Sequence, residues 1–297
     1  MPLAIKPLHP LFAAEISGVD IAEPLDAAVV REIVAAMDRY AVCVYRGTAL
    51  TDESHIAFSR RLGELELAPQ LFGSRVTRFA HPELFDAGNL DASGNILKDE
   101  RRRLYNKGNA LWHTDSSFKK TPALASVLTA RVLPGDGGET EFTSTRLAWE
   151  RLPADLQGRL KEAVATHSYA NSRDQIHPDL ATEIERKALP PVRWRLNWRN
   201  PSNDRRALYV ASHAYAIDGM DDRDARQLLA QLLDEATRRE FVYSHKWRQG
   251  DAVMWDNRAM LHRGRPWDYA QERTMVRTTI SATDADGLSE VKPPVLH

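Results

Sequence analysis

A histidine followed two residues later by an acid is a short spacing that can offer a metal two ligands. The chain contains it three times, as His81-Pro-Glu83, His113-Thr-Asp115 and His177-Pro-Asp179. Spacing alone does not choose among them. A central proline fixes the local backbone and suits a turn, whereas His113 and Asp115 can project to one side of an extended chain. A mononuclear oxygenase iron takes two neutral imidazoles and one carboxylate on one face and keeps its other positions open. His113 and Asp115 supply two of these ligands, so the third comes from a remote segment. His262 is the candidate, at the end of Met254-Trp-Asp-Asn-Arg-Ala-Met-Leu-His262, where a turn-rich Asp-Asn pair interrupts two strand-like runs. Two histidines and a carboxylate also bind Zn(II), which makes a zinc hydrolase a second reading of the same residues. His167, His213 and His245 lack such partners and are expected not to be ligands, with His213 able to line a pocket.

A second pattern lies beyond His262. Arg273-Thr-Met-Val-Arg277 spaces two arginines by an even number, which sets both on one face of a strand and lets them serve two anions in one pocket. A guanidinium grips a carboxylate through two parallel hydrogen bonds, a task its planar fork suits better than a lysine.

These groups need a scaffold, and the hydropathy pattern supplies one. Val29 to Met37 has helical periodicity, Ala41 to Tyr45 reads as a buried strand, and Arg46-Gly47 is its turn. Thr51, with Asp52 and Glu53 behind it, predicts the start of a second helix carrying Ile56, Phe58 and Leu62 and stopping at Gly63. From 64 to 109 periodicity is weak, and the stretch reads as long loops with short strands, forming a lid or insertion over a site. Ala123 to Val132 and Arg206 to Ala211 read as strands, with a helical stretch near Pro153 to Val164 between them. Asp221 to Glu235 has the leucine stripe of an amphipathic helix, and Phe241, Tyr243, His245 and Trp247 then alternate as in a half-buried strand. Ala252 to Trp255 and Thr274 to Ile280 complete a strand-dense C-terminal third. Without an internal repeat or low-complexity linker, residues 1–297 read as one β-rich α+β domain wrapped by helices.

Composition narrows the partners. Forty Lys+Arg against 41 Asp+Glu leave a formal charge of -1, so there is no general basic field for nucleic acid or anionic lipid, and any anion is recognised locally. The chain is 43% hydrophobic and 27% charged, as an ordinary globular protein is, and no run approaches the ~20 apolar residues of a membrane span. The N-terminal residues have neither a secretory nor a transit composition. A single cysteine, Cys43, lies in a buried strand and forms no internal disulfide, and the cytoplasm, a reducing compartment that keeps iron ferrous, is the expected location.

Five stretches in order carry a family resemblance: Leu11-Phe-Ala-Ala-Glu-Ile-Ser-Gly-Val-Asp20, Ile56-Ala-Phe-Ser-Arg-Arg-Leu-Gly63, Trp112-His-Thr-Asp-Ser-Ser-Phe118, Gly137-Gly-Glu-Thr-Glu-Phe142 and Trp255-Asp-Asn-Arg with His262. Together they resemble the taurine/2,4-dichlorophenoxyacetate dioxygenases. The resemblance implies a double-stranded β-helix, or jelly roll, with flanking helices. It implies Fe(II) on His113, Asp115 and His262, which are then also the catalytic residues, and 2-oxoglutarate and O2 as co-substrates. Thr140 and Arg273 would hold the distal carboxylate of 2-oxoglutarate, and Arg277, with Asn109, the anionic head of a small organic substrate. Three stretches, Pro7-Leu-His-Pro-Leu-Phe-Ala-Ala14, Glu240-Phe-Val-Tyr243 and His262-Arg-Gly-Arg265, look closer to the aryloxyalkanoate-cleaving members than to the sulfonate-cleaving ones. The expectation is therefore hydroxylation next to the ether oxygen of an aryloxyacetate-type acid, giving a phenol and glyoxylate with succinate and CO2. The alternatives are a taurine or alkylsulfonate dioxygenase, the zinc hydrolase, and a non-enzymatic cupin-like binder. Homo-oligomerisation is left open.

Overall fold

Helix Ala27–Tyr40 turns Ile33, Ala36 and Met37 inward and stops where Ala41 enters the left-handed region at φ 61°, its N–H donating to the Met37 carbonyl at 2.7 Å. That sharp exit feeds the chain directly into strand Val42–Tyr45, whose four side chains are all buried. The second helix, Asp52–Arg60, begins as its sequence predicts, with Thr51 and Ser54 forming a reciprocal capping box. The computed structural model describes residues 3–67 and 78–294.

Seven strands form the main sheet, in the order Ala4–Pro7, Ala14–Ser17, Val42–Tyr45, Ala252–Asp256, Ala123–Val132, Thr274–Ser281 and Phe85–Asp86. A three-stranded sheet, Val242–His245, Thr140–Ser144 and Met260–Gly264, shares a core with it. The period of two along the strands explains the layering. Val42, Val44, Val253 and Trp255 face Phe142 and Met260 of the smaller sheet, while Cys43, Tyr45, Ala252 and Met254 face Ile33, Met37 and Phe58 of the helices. The central strands are thus covered on both sides, which is why they read as continuous apolar runs. Among the described residues, no helix is long and apolar enough to cross a membrane.

The chain passes from one sheet to the other through Asn257-Arg258-Ala259, and a buried ion cluster fixes this corner. Arg258 is 4% exposed; its Nε and Nη2 donate to the Asp256 carboxylate at 2.9 and 3.0 Å, and Nη2 also donates to Asp38 at 2.9 Å. Paired on both sides, these charges hold the corner without leaving an uncompensated ion in the core.

Several boundaries differ from the sequence reading: helix Asp52–Arg60 ends before Leu62, and of the alternating run Phe241 to Trp247 only Val242–His245 is strand. Helix Glu100–Lys107 lies in the segment read as loops and short strands, because its polar sequence lacks the apolar stripe that marks a helix. Val164 opens strand Val164–His167, the preceding helix having ended at Leu160, and the strand begun at Arg206 ends at Leu208. Of the lid segment 64–109, residues 68–77 lie outside the described residues.

Buried histidines make this core acid-sensitive. His55 is fully buried; desolvation above all, with the nearby Arg131 charge, pushes it from 6.5 down to about 3 despite its bond to the Val127 carbonyl at 3.1 Å. His167, also buried, is likewise pushed down to about 3. In the unfolded chain both titrate near 6.5, so the unfolded state takes up protons first. Their contribution is complete above pH 6.5 and is lost as pH falls toward 3. At about 1.4 kcal/mol per pH unit for each, the two should each remove about 2 kcal/mol by pH 5. Urea midpoints measured from pH 7.5 to 5 should fall accordingly, and His55→Gln should flatten the profile; a flat wild-type profile would contradict this.

Candidate active site

His113 and His262 meet in an isolated antiparallel bridge, His113 N–H donating to His262 O at 3.0 Å and His262 N–H to His113 O at 2.8 Å. This bridge joins two segments remote in sequence and sets their rings 4.1 Å apart between centroids. Two residues after His113 the chain turns, with Ser116 at φ 56°, and Asp115 is drawn into the same corner. One donor atom from each of His113, Asp115 and His262 lies within 4.8 Å of the others, the single such group of three among the described residues. Asp115 and His262 are 4% and 5% exposed, and His113 is half-buried.

The protonation states match a metal site. The His113 Nδ1 lies 2.7 Å from the Leu111 carbonyl, which assigns the proton to Nδ1 and leaves the Nε2 lone pair free. His262 points Nε2 toward Asp115 Oδ2, 3.8 Å away, and its ring is wedged against Trp255 at 4.6 Å. Burial pushes both imidazoles below their ordinary value, so they are neutral at pH 7. For Asp115, burial pulls the carboxyl upward, but Arg277, His262, His113 and the Ser126 hydroxyl together outweigh it and hold it well below the usual carboxylate range. Two neutral nitrogens and one carboxylate are the forms that bind a divalent metal without proton release.

Asn257 organises the carboxylate. Its Oδ1 accepts from the Asp115 N–H at 3.1 Å and from Trp255 Nε1 at 3.0 Å, while its Nδ2 donates to Ser126 Oγ at 2.9 Å. Ser126 in turn donates to Asp115 Oδ2 at 2.6 Å. The sequence reading passed over Ser126, although a lone hydroxyl in the apolar run Ala123-Leu-Ala-Ser-Val-Leu128 was a usable signal. Ser126→Ala should weaken metal binding by about 10- to 100-fold, as loss of a ligand's hydrogen-bonding partner does, with little change in fold. Equilibrium dialysis with Fe(II) reads this directly, and an unchanged affinity would show that packing alone orients Asp115.

Two cavities meet at Phe85, Asn109, His113 and Arg277. The larger, about 800 Å³, reaches His262, Thr140 and Arg273. Arg273 is 6% exposed; its Nη2 donates to Gly138 O at 3.1 Å and Nη1 to Ala87 O at 3.3 Å, but among the described residues it has no carboxylate partner. Burial alone pushes it down to about 10, so it remains charged at neutral pH. Gly138 permits this placement, since a Cβ there would lie 3.1 Å from Arg273 Nε, and its φ of 74° suits glycine. Thr140 accepts from Trp247 Nε1 at 3.0 Å, which leaves its own hydroxyl proton to donate elsewhere. Among the described residues Arg273 is a buried cation without a counter-ion, and beside the free hydroxyl donor of Thr140 it could receive a carboxylate.

The smaller cavity, about 90 Å³, is lined by Asp115, Phe118, Tyr169, Arg173 and His213. His213 borders it, as expected, with Nδ1 2.9 Å from Ser117 Oγ. Arg277 does line the same cavity as Arg273, as its spacing predicts, even though a register shift between Thr274 and Met275 separates them. The structure adds a partner that spacing could not reveal: Arg277 Nη1 donates to Asp115 Oδ1, neutralising the buried carboxylate, and the guanidinium lies 4.8 Å over the Phe85 ring.

Comparison with known proteins agrees with this arrangement. The model of the "Taurine catabolism dioxygenase TauD, TfdA family" matches residues 4–279. The alpha-ketoglutarate-dependent 2,4-dichlorophenoxyacetate dioxygenase of Cupriavidus pinatubonensis is 42% identical over 280 residues, covering 94% of this chain and 98% of the relative. The (S)-phenoxypropionate/alpha-ketoglutarate-dioxygenase of Sphingobium herbicidovorans is 35% identical, covering 95% of this chain and 96% of its own. Among solved structures, AAD-2 in complex with Mn(II) and N-oxalylglycine superposes with a TM-score of 0.88 at 38% identity, covering 100% of both chains. With a family match over nearly its whole length, the chain belongs to the TauD/TfdA family of alpha-ketoglutarate-dependent dioxygenases.

Proposed function

We propose that this enzyme is an Fe(II)- and 2-oxoglutarate-dependent dioxygenase that hydroxylates the carbon next to the ether oxygen of an aryloxyacetate-type acid such as 2,4-dichlorophenoxyacetate. The observation that carries the reading is the pairing of the His113, Asp115 and His262 cluster with an uncompensated buried cation, Arg273, lining one cavity with His113 and His262. Relatives named for 2,4-dichlorophenoxyacetate and phenoxypropionate support the substrate class over taurine. Fe(II), when bound, would couple oxidative decarboxylation of 2-oxoglutarate by O2 to hydroxylation of a substrate C–H bond.

The residues divide the work. His113, Asp115 and His262 hold the metal through one carboxylate and two neutral imidazoles. Arg273 and Thr140 hold the distal carboxylate of 2-oxoglutarate, so the keto acid end is directed toward the metal. Arg277 and Asn109, at the junction of the two cavities, orient the acid head of the substrate. Phe118 and Tyr169, with ring centroids 5.1 Å apart, offer an apolar wall to an aromatic ring. One oxygen atom of O2 enters the substrate C–H bond to form a hemiacetal, which breaks its C–O bond to release a phenol and glyoxylate, and the other enters the succinate formed from 2-oxoglutarate with loss of CO2. We read the two facing sheets as a double-stranded β-helix within a single domain, with a lid or insertion within 64–109 whose described helix Glu100–Lys107 lines the larger cavity.

Products identify the substrate class. The iron-loaded protein is incubated with 2-oxoglutarate and phenoxyacetate, 2,4-dichlorophenoxyacetate or taurine, and phenol and sulfite are assayed. Phenol from the aryloxy acids is expected. Sulfite from taurine with no phenol would overturn the substrate class, and ester hydrolysis independent of 2-oxoglutarate would favour a hydrolase.

A further inference from the structure

The smaller cavity contains a cation with no role in the scheme above. Arg173 lies in helix Tyr169–Asp174, its guanidinium carbon 4.8 Å from the centre of the Tyr169 ring, and lines the cavity with Phe118, His213 and Arg277. Its Nε is buried without a hydrogen-bond partner, and among the described residues the guanidinium has no ion pair. The adjacent Asp174 is engaged by Arg186 at 2.8 Å. Lys119, another cation lining this cavity, is held by Glu66 at 2.5 Å.

The placement of this guanidinium depends on a missing side chain. A Cβ on Gly108 would fall 1.4 Å from Arg173 Nη1 and 2.7 Å from its Cζ. The guanidinium therefore occupies the volume that any residue other than glycine would fill. Gly108 opens the short 3-10 turn Gly108–Ala110, so the arginine is laid against the segment that carries Asn109 and leads to His113.

Arg277 is only partly available to an incoming anion, because its Nη1 is bound to Asp115. Arg173 has no such commitment. Of the three carboxylates that line this cavity, Glu66 is paired with Lys119 and Glu83 with Arg60, which leaves Asp115, a member of the metal cluster, as the counter-charge to Arg277 and none for Arg173 among the described residues. A second, external carboxylate would balance the remaining charge and satisfy donors that are otherwise idle.

We propose that Arg173 is a direct anchor of the substrate's carboxylate, acting with Arg277, and that Gly108 is glycine to give its guanidinium room. Resting on the aryloxyacetate reading, this makes the pocket selective for acids over neutral molecules of the same shape. Phe118 and Tyr169 carry the ring, and the two arginines carry the charge.

The test compares 2,4-dichlorophenoxyacetate with its primary amide, which keeps the shape and lacks the charge. Binding of each is measured calorimetrically under argon to protein loaded with Fe(II) and 2-oxoglutarate. Arg173→Gln should weaken acid binding about tenfold, the scale of one charged hydrogen-bonded contact, and leave amide binding and the 2-oxoglutarate KM within about twofold. Gly108→Ala keeps the charge but displaces the guanidinium and should lose part of the same affinity; Arg173→Lys should recover part of it. Equal losses for acid and amide would make Arg173 a mere wall of the pocket and overturn the assignment. Unchanged acid binding in Arg173→Gln, with normal wild-type binding, would overturn it alone. Failure of the wild type to bind the acid at all would instead overturn the aryloxyacetate reading and this proposal with it.

Discussion

Asp115→Ala should abolish turnover, lowering it by about three orders of magnitude or more, because it removes the sole carboxylate of the metal cluster. The effect should appear first as lost Fe(II) binding. Asp115 also neutralises Arg277, so the alanine variant leaves a guanidinium facing two imidazoles without a counter-charge. Asp115→Asn keeps the shape and the Ser126 hydrogen bond but removes the charge, and it should fail almost as completely. Circular dichroism separates this from unfolding. Near-normal turnover in either variant with Fe(II) would remove Asp115 from the metal site.

Arg273→Met has the second large expected effect, and its two parts point in opposite directions. The KM for 2-oxoglutarate should rise about 100-fold or more, since a bidentate charged contact is lost. The ligand-free protein should keep its stability to within about 1 kcal/mol, because the residue removed is a buried cation without a carboxylate partner among the described residues. In thermal melts, added 2-oxoglutarate should stabilise the wild type and leave the variant unmoved. If 2-oxoglutarate stabilises both equally, the distal carboxylate is held elsewhere.

Much of this site was legible before the fold was seen, for a physical reason. The ligand pair His113 and Asp115 is local, and His262 sits just past a corner whose Asp-Asn composition marks a break between strands. The arginine pair was legible because strand alternation survives to the larger cavity, although the register shift between Thr274 and Met275 depends on the partner strand and cannot be read from one segment. The central strands announced themselves as apolar runs because both of their faces are covered. Helix Glu100–Lys107 did not, since a helix outside the core needs no apolar stripe.

What escaped the sequence reading depends on distant partners. Asn257 reaches Asp115 across 142 positions, and Ser126 meets it from strand Ala123–Val132, so neither role follows from spacing. The Arg277 bond to Asp115 spans 162 positions. The match of Gly108 to Arg173 is a matter of volume between a 3-10 turn and a helix, and a lone glycine in a polar stretch gives no sign of it.

The most direct test of the account is the stoichiometry of a single reaction. Protein loaded anaerobically with Fe(II) is given 2-oxoglutarate and 2,4-dichlorophenoxyacetate, exposed to O2, and assayed for succinate and the phenol. Equal amounts of the two, with neither formed when 2-oxoglutarate or O2 is withheld, are predicted. Phenol formed without succinate, or no succinate with any aryloxy acid, would contradict the claim that His113, Asp115, His262 and Arg273 form a 2-oxoglutarate-dependent oxidation site.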